Sequence, residues 1–72
     1  ENEIVIYPNP TRNIINIAYK GEMRIDLYGP LGELVVSGEN IKQIDLNAYS
    51  NGIYVLYATY KGKIITHKII KQ

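Results

Sequence analysis

The 72-residue sequence lacks cysteine, tryptophan and phenylalanine and contains a single histidine. Without cysteine, disulfides, thiolate metal sites and cysteine nucleophiles are excluded. Missing disulfides point weakly to a reducing compartment, but bacterial surface proteins also lack them, so the compartment stays open. A chain of this length buries only about 60% of its unfolded surface, and we therefore expect a thin margin of stability.

Neither sign of charge dominates, since eight basic residues balance seven acidic ones and the net charge is +1. A chain without a basic stripe is not expected to bind nucleic acid. The longest uninterrupted apolar run, residues 53–58, is too short to cross a bilayer as a helix, so we predict no transmembrane segment. No signal-peptide pattern opens the chain, which begins with Glu1. We therefore expect a processed or excised piece of a longer protein.

The residues that carry catalysis in other proteins are few and scattered here. His67 lies alone within a strand-like segment, so we expect it at a solvated or edge position. Ser37 and Ser50 lie at turns, where serine is common for backbone reasons. The acidic residues are spread singly, without the close spacing of a metal loop or the pairing of a glycosidase. We predict no enzymatic activity, no metal site and no cofactor.

Residues that favour β-structure are abundant, since Ile, Val and Tyr supply a third of the chain. Turn residues divide the sequence into seven segments of strand length, namely residues 3–7, 14–19, 23–28, 33–37, 42–47, 53–60 and 63–71. Within these segments apolar and polar residues alternate, as expected for half-buried strands. The sequence therefore predicts an all-β fold, a small immunoglobulin-like antiparallel β-sandwich of about seven strands, formed by a single domain over residues 1–72.

Three local patterns add detail to this prediction. Lys20-Gly21 and Lys61-Gly62 each place glycine second in a two-residue loop, which predicts two tight hairpins. Residues 53–60 combine high β-propensity with no charge and no proline, so we expect an interior strand. Residues 41–48 also carry apolar residues at helical spacing, and a short helix there is the alternative to a strand.

Three stretches in this order resemble a known family: YPNPTRNIINI at residues 7–17, RIDLYGPLGELV at residues 24–35, and IDLNAYSNGIYVLYATYKGKIITHKIIK at residues 44–71. The chain is similar over nearly its whole length to the C-terminal sorting domain of type IX secretion cargo, the type A sorting domain or Por secretion family of Bacteroidetes and their relatives. Two positions depart from the family pattern. Tyr49 stands where a leucine-like residue is more usual, and Pro30 lies in a loop usually richer in Asp, Asn and Gly.

The resemblance implies a non-enzymatic secretion signal at the C-terminus of a larger secreted protein. The cargo, an N-terminal domain, would reach the periplasm by general export. The sorting domain would then engage outer-membrane components of the type IX translocon. A sortase-like peptidase would remove the domain, and the cargo would be anchored at the cell surface or released outside. In this family the scissile bond lies before the domain.

Within such a domain, the recognised element is expected in the final hairpin, residues 52–71. A last strand at the sheet edge would dock a partner by strand addition, while Lys68 and Lys71 would attract it by charge. The predicted residues for translocon recognition are Gly52, Tyr54, Lys68, Ile69, Ile70 and Lys71.

Two other functions remain open at this point. An immunoglobulin-like adhesion or carbohydrate-binding module would use some of the seven tyrosines as a ligand platform. A tyrosine that simply replaces the missing phenylalanine and tryptophan at the core boundary is the alternative interpretation, and we favour it. The third possibility is a spacer that stabilises a neighbouring catalytic domain.

Overall fold

A computed structural model of the chain describes residues 3–72. These residues form seven strands and no helix: β1 (Val5–Tyr7), β2 (Ile14–Ala18), β3 (Arg24–Tyr28), β4 (Leu34–Glu39), β5 (Gln43–Asp45), β6 (Gly52–Tyr60) and β7 (Lys63–Lys71). The described part of the chain accordingly holds no helix of the length and apolarity needed to span a membrane. The all-β prediction is confirmed, and the predicted bounds of the last strand agree with those of β7.

The strands form two antiparallel sheets that pack against each other as a sandwich. One sheet has three strands in the order β1-β2-β5, and the other has four in the order β4-β3-β6-β7. Their facing sides build one core, whose buried apolar residues are Ile15, Ile17, Met23, Ile25, Leu27, Ile44, Leu46, Tyr54, Leu56, Ala58 and Ile69. The alternation read from the sequence is what places these residues on the inner sides.

Residues 41–48 contain the short strand β5 and a turn, so the helical alternative is wrong. Ile44 pairs with Ile15 of β2, and both side chains enter the core. Leu46 is also buried, two positions further along. Ile44 and Leu46 reach the core together through the two-residue period of an extended chain.

The two predicted hairpins have different outcomes. Lys61 and Gly62 both have positive φ, 49° and 78°, and join β6 to β7, as a tight two-residue hairpin requires. The prediction for Lys20-Gly21 is wrong, although Gly21 has a φ of 78°. Its flanking strands, β2 and β3, belong to different sheets. Because both strands face the same core from opposite sides, the chain between them has to cross from one sheet to the other.

Gly52 begins β6 in a backbone conformation that side chains disfavour, with a φ of 146°. A Cβ at this position would lie 2.7 Å from Cγ of Pro30. Pro30 belongs to the turn between β3 and β4, which closes with the Gly29 N–H donating to the Glu33 carbonyl. This turn therefore packs closely on the first residue of the closing hairpin, and only glycine fits there.

Candidate functional site

The closing hairpin consists of an interior strand and an edge strand. β6 lies between β3 and β7, which confirms the interior position predicted for residues 53–60. β7 is the last strand of the four-stranded sheet, and it pairs with β6 without interruption from Lys63 opposite Tyr60 to Lys71 opposite Gly52. The side of β7 that points away from β6 is therefore a free edge, on which a further strand could be added.

Half of this edge is covered by the chain itself, through the side chain of Asn9. The Asn9 Nδ2 donates to the Lys68 carbonyl at 2.8 Å, and the Asn9 Oδ1 accepts from the Ile70 N–H at 3.0 Å. Pro8 and Pro10 flank Asn9, and both follow cis peptide bonds. The Pro8-Asn9-Pro10 motif therefore covers the edge of β7, a role that sequence reasoning did not assign to it.

Thr11 continues the same cover to the end of the chain. Its N–H donates to the Ile70 carbonyl at 2.8 Å, and its carbonyl accepts from the Gln72 N–H at 2.9 Å. The Thr11 side chain is only 2% exposed and donates through Oγ1 to the Ile14 carbonyl. Backbone groups at the end of β7 are thereby satisfied without a partner.

The other half of the edge, residues 64–68, is open. The bonds to Asn9 and Thr11 show that the backbone groups of Lys68 and Ile70 point away from β6. Strand alternation then places the backbone groups of Ile64 and Thr66 on the same free edge. Among the described residues, none makes a hydrogen bond to the N–H or C=O of Ile64, to the N–H or C=O of Thr66, or to the Lys68 N–H. We define this stretch as the open edge.

The side chains of the open edge are apolar and basic. Ile64 is 64% exposed, and Lys63 and Lys68 are exposed at its two ends. The ion pairs among residues 3–72 all involve Arg24 of β3, which contacts Asp26 and Glu39. Lys63 and Lys68 therefore have no carboxylate partner within the described part of the chain, and their charge is available to a ligand.

The six residues predicted for recognition occupy different environments. Tyr54 and Ile69 are fully buried in the core, and Lys71 is 8% exposed with its Nζ donating to Asn51 Oδ1 at 3.0 Å. Gly52 contacts Pro30. Only Lys68 and Ile70 present their side chains to solvent, and the Ile70 backbone is already bonded to Asn9 and Thr11.

Ile64 and Thr66 are the exposed members of the open edge that sequence reasoning missed. The alternation along the strand was available as a signal, since it places the side chains of Ile64 and Thr66 on the outer face of the sheet and those of Ile65 and His67 on the inner face. His67 lies half-buried on the inner side of this edge strand. Sequence alone gave no means of telling which half of β7 the chain covers, because Asn9 lies far from it along the chain.

The tyrosines do not form a flat platform on the outer face of the larger sheet. Tyr28 and Tyr57 contact each other edge to face, with ring centroids 5.6 Å apart and an interplanar angle of 80°. They line a shallow hollow of about 590 Å³ with Asp26, Val55 and Ile64. A sugar ring stacks on exposed aromatic faces, and two perpendicular rings offer no common face for it.

Two tyrosines have altered ionisation because of their surroundings. Burial raises the pKa of Tyr54, whose hydroxyl donates to the Ser50 carbonyl. Burial also raises the pKa of Tyr19, and the nearby charge of Glu39 adds to the effect. The Tyr19 hydroxyl donates to the Ile41 carbonyl. Both hydroxyls therefore serve as hydrogen-bond donors to backbone carbonyls in the folded domain.

Within residues 3–72, no three His, Asp or Glu side chains converge as ligands for a metal ion.

The chain matches no curated protein. It does match the model of a family described as the secretion system C-terminal sorting domain, over residues 5–72. This match covers all seven strands, including the open edge and its Asn9 cover. The chain therefore belongs to the family of type IX secretion C-terminal sorting domains.

Proposed function

We propose that this sorting domain is recognised by an outer-membrane component of the type IX machinery through strand addition at the open edge. Family membership supplies the sorting role and, with it, export to the cell surface or beyond. The half-covered edge of β7 is the observation that carries the mode of recognition. Backbone groups of an exposed edge bind an extended segment without demanding a particular side-chain sequence, which suits a signal shared by many cargoes.

The remaining steps of the proposal concern the cargo. An N-terminal cargo domain passes through the periplasm, and the sorting domain then brings it to the translocon. A sortase-like peptidase cuts before the domain and anchors or releases the cargo. Val5, the first residue of β1, lies on the smaller sheet, so a preceding cargo is joined to the sheet that does not contain the open edge. This arrangement supports simultaneous attachment of cargo and partner.

A truncation that removes residues 63–72 does not test this mode of recognition. The deletion would remove Ile69 from the core and the whole of β7 from the sheet, so loss of secretion would follow from unfolding alone. Substitutions at Thr66 are sharper. Its N–H and C=O belong to the open edge, and its side chain is exposed.

The experiment fuses the domain to a periplasmic reporter in a bacterium with a type IX system. Thr66→Pro removes the outward N–H while leaving the bonds to β6 intact, and Thr66→Val retains the N–H as the matched control. We expect extracellular reporter to fall about tenfold with the proline variant and to stay near wild type with valine. Equal secretion of the two variants, with both domains folded by circular dichroism, would reject strand addition.

The carbohydrate-binding alternative has a separate test. A glycan array probed with the wild-type domain and with Tyr57→Ala reports whether the hollow beside Tyr28 binds sugars. Because the rings are perpendicular, we expect no Tyr57-dependent signal. A glycan retained by the wild type and lost in Tyr57→Ala would instead favour the adhesion or carbohydrate-binding module.

A further inference from the structure

The free edge of β7 carries a repeating row of bridging positions. Each position lies between the carbonyl of one outward-facing residue and the N–H of the next. Asn9 bridges the Lys68 carbonyl and the Ile70 N–H, and Thr11 bridges the Ile70 carbonyl and the Gln72 N–H. A residue of a parallel strand makes this pattern of bonds, and the Thr11–Lys71 bridge is parallel.

Two further positions of the row have no occupant among residues 3–72. One lies between the Ile64 carbonyl and the Thr66 N–H, and the other between the Thr66 carbonyl and the Lys68 N–H. A parallel strand would fill both positions with two alternate residues. Only the Ile64 N–H, next to the hairpin turn, would then remain without a hydrogen bond. An antiparallel strand would bond Ile64 and Thr66 fully, but its residue opposite Lys68 would direct an N–H at a carbonyl that already accepts from Asn9.

We propose that the open edge accepts an extended segment of a partner protein as a short parallel strand, which continues the row that Asn9 and Thr11 begin. This inference rests on the proposed function and adds the direction, length and side-chain chemistry of the recognised segment. The partner segment runs from the hairpin turn at Gly62 towards Lys68, in the same direction as β7.

Asn9 sets the register of the added strand. A plain sheet edge lets a partner slide by two residues, because each step restores the same backbone bonds. Here the next position of the row is filled by the Asn9 amide, so a segment that slides beyond Lys68 meets an occupied site. The partner strand therefore ends or turns away after two bridging residues.

The surroundings of the open edge define the side chains of the partner. Residues at the two bridging positions lie opposite Ile65 and His67, on the inner side, where Ile65 packs against the core. Apolar partner residues there would extend this packing. The residue between them lies on the outer face of the sheet beside Thr66, next to the exposed Lys68. An acidic residue at this position gains from the Lys68 charge.

The test uses the isotope-labelled 72-residue chain and a synthetic peptide, acetyl-Ser-Val-Glu-Val-Ser-amide. The peptide carries a nitroxide at either its N-terminal or its C-terminal end, and line broadening of the domain's amide signals is measured by NMR. Parallel addition predicts that the N-terminal label broadens Lys63 and Ile64 most strongly. The C-terminal label should broaden Lys68 and Asn9. Binding in the millimolar range is sufficient for this measurement.

Two controls accompany the measurement. Thr66→Pro should abolish the broadening, and a peptide with lysine in place of glutamate should bind several-fold more weakly. The inference is overturned if the two labels give the reverse pattern, if broadening appears elsewhere on the domain, or if none appears at peptide solubility. Failure of strand addition itself would be seen separately, as equal secretion by Thr66→Pro and Thr66→Val. A reversed label pattern together with a secretion defect in Thr66→Pro would therefore reject only the parallel direction.

Discussion

The ammonium of Lys71 lies 3.0 Å from Asn51 Oδ1, in a position where the lysine is only 8% exposed. A charged residue next to the end of the chain is thus part of the folded structure. Its methylene stem packs at the base of the closing hairpin, and its charge meets the loop that leads into β6. Lys71 therefore belongs with Thr11 to the contacts that hold the chain end in place.

Replacing Lys71 separates packing from hydrogen bonding. Lys71→Ala should lower the free energy of unfolding by about 2 kcal/mol, because both the stem and the bond to Asn51 are lost. Lys71→Met keeps most of the stem and should cost about half as much. Urea denaturation measures both, with Lys68→Ala on the exposed side of the same strand as the control. A Lys71→Ala protein as stable as the control would contradict a structural role.

Glycine is required at position 52 for two reasons that can be measured apart. Gly52→Ala should destabilise the domain by about 2–4 kcal/mol, from strain at a φ of 146° and from overlap with Pro30. Gly62→Ala is the control, since its φ of 78° is also unfavourable but its Cβ would meet open space. Pro30→Ala removes the Cγ that lies closest, so it should recover part of the loss in a double-mutant cycle. Additive effects of the two substitutions would rule out the contact.

Asn9 can be tested as the cover of the β7 edge. Asn9→Ala removes both bonds to the strand and should cost about 1–2 kcal/mol in urea denaturation. Asn9→Asp keeps an acceptor for the Ile70 N–H but places a carboxylate oxygen against the Lys68 carbonyl, so it should recover little of the loss. Asn13→Ala, on an exposed asparagine whose side chain makes no described hydrogen bond, is the control.

The same variants should differ in self-association. Uncovering the Lys68 carbonyl and the Ile70 N–H lengthens the open edge, which favours pairing between molecules. Sedimentation at rising protein concentration should therefore show more association for Asn9→Ala than for Asn13→Ala. Identical sedimentation of the two proteins would argue against Asn9 as an edge cover.

Alkaline pH should destabilise the domain through its two shifted tyrosines. The folded-state pKa of Tyr19 and Tyr54 lies above the ordinary value of 10.0, so the folded state holds the phenolic proton more tightly than the unfolded state. The stability from this effect is intact below pH 10.0 and is lost as the pH rises through the folded pKa values.

The measurement compares urea unfolding at about pH 9 and about pH 11. Tyr54→Phe should be less stable than wild type at the lower pH, since the bond to Ser50 is lost, but its further loss at the higher pH should be smaller. Tyr7→Phe, at a position that is 50% exposed, should follow wild type across the range. An unchanged pH dependence in Tyr54→Phe would show that burial of this hydroxyl does not govern the alkaline loss.

The strand pattern was readable from sequence because it is local. Alternating Ile and Leu residues between Gly, Pro and Asn turns specify extended segments whose inner sides must meet, and this predicted all seven strands. The Lys61-Gly62 hairpin was predictable for the same reason, since a two-residue turn depends on its own φ angles. Lys20-Gly21 has similar residues but joins different sheets, because core packing overrides turn preference there.

By itself, the sequence determined the all-β class, the interior position of residues 53–60 and a family resemblance, and it led us to predict recognition in the closing hairpin. The tertiary structure alone decided which part of that hairpin is accessible. It buried Tyr54, Ile69 and Lys71, and it brought Asn9 across from the other end of the chain to cover half of β7. Sequence patterns report which side of a strand faces the core, but the backbone groups at a sheet edge are alike in every residue. Only the folded arrangement of distant segments decides which of them stay open.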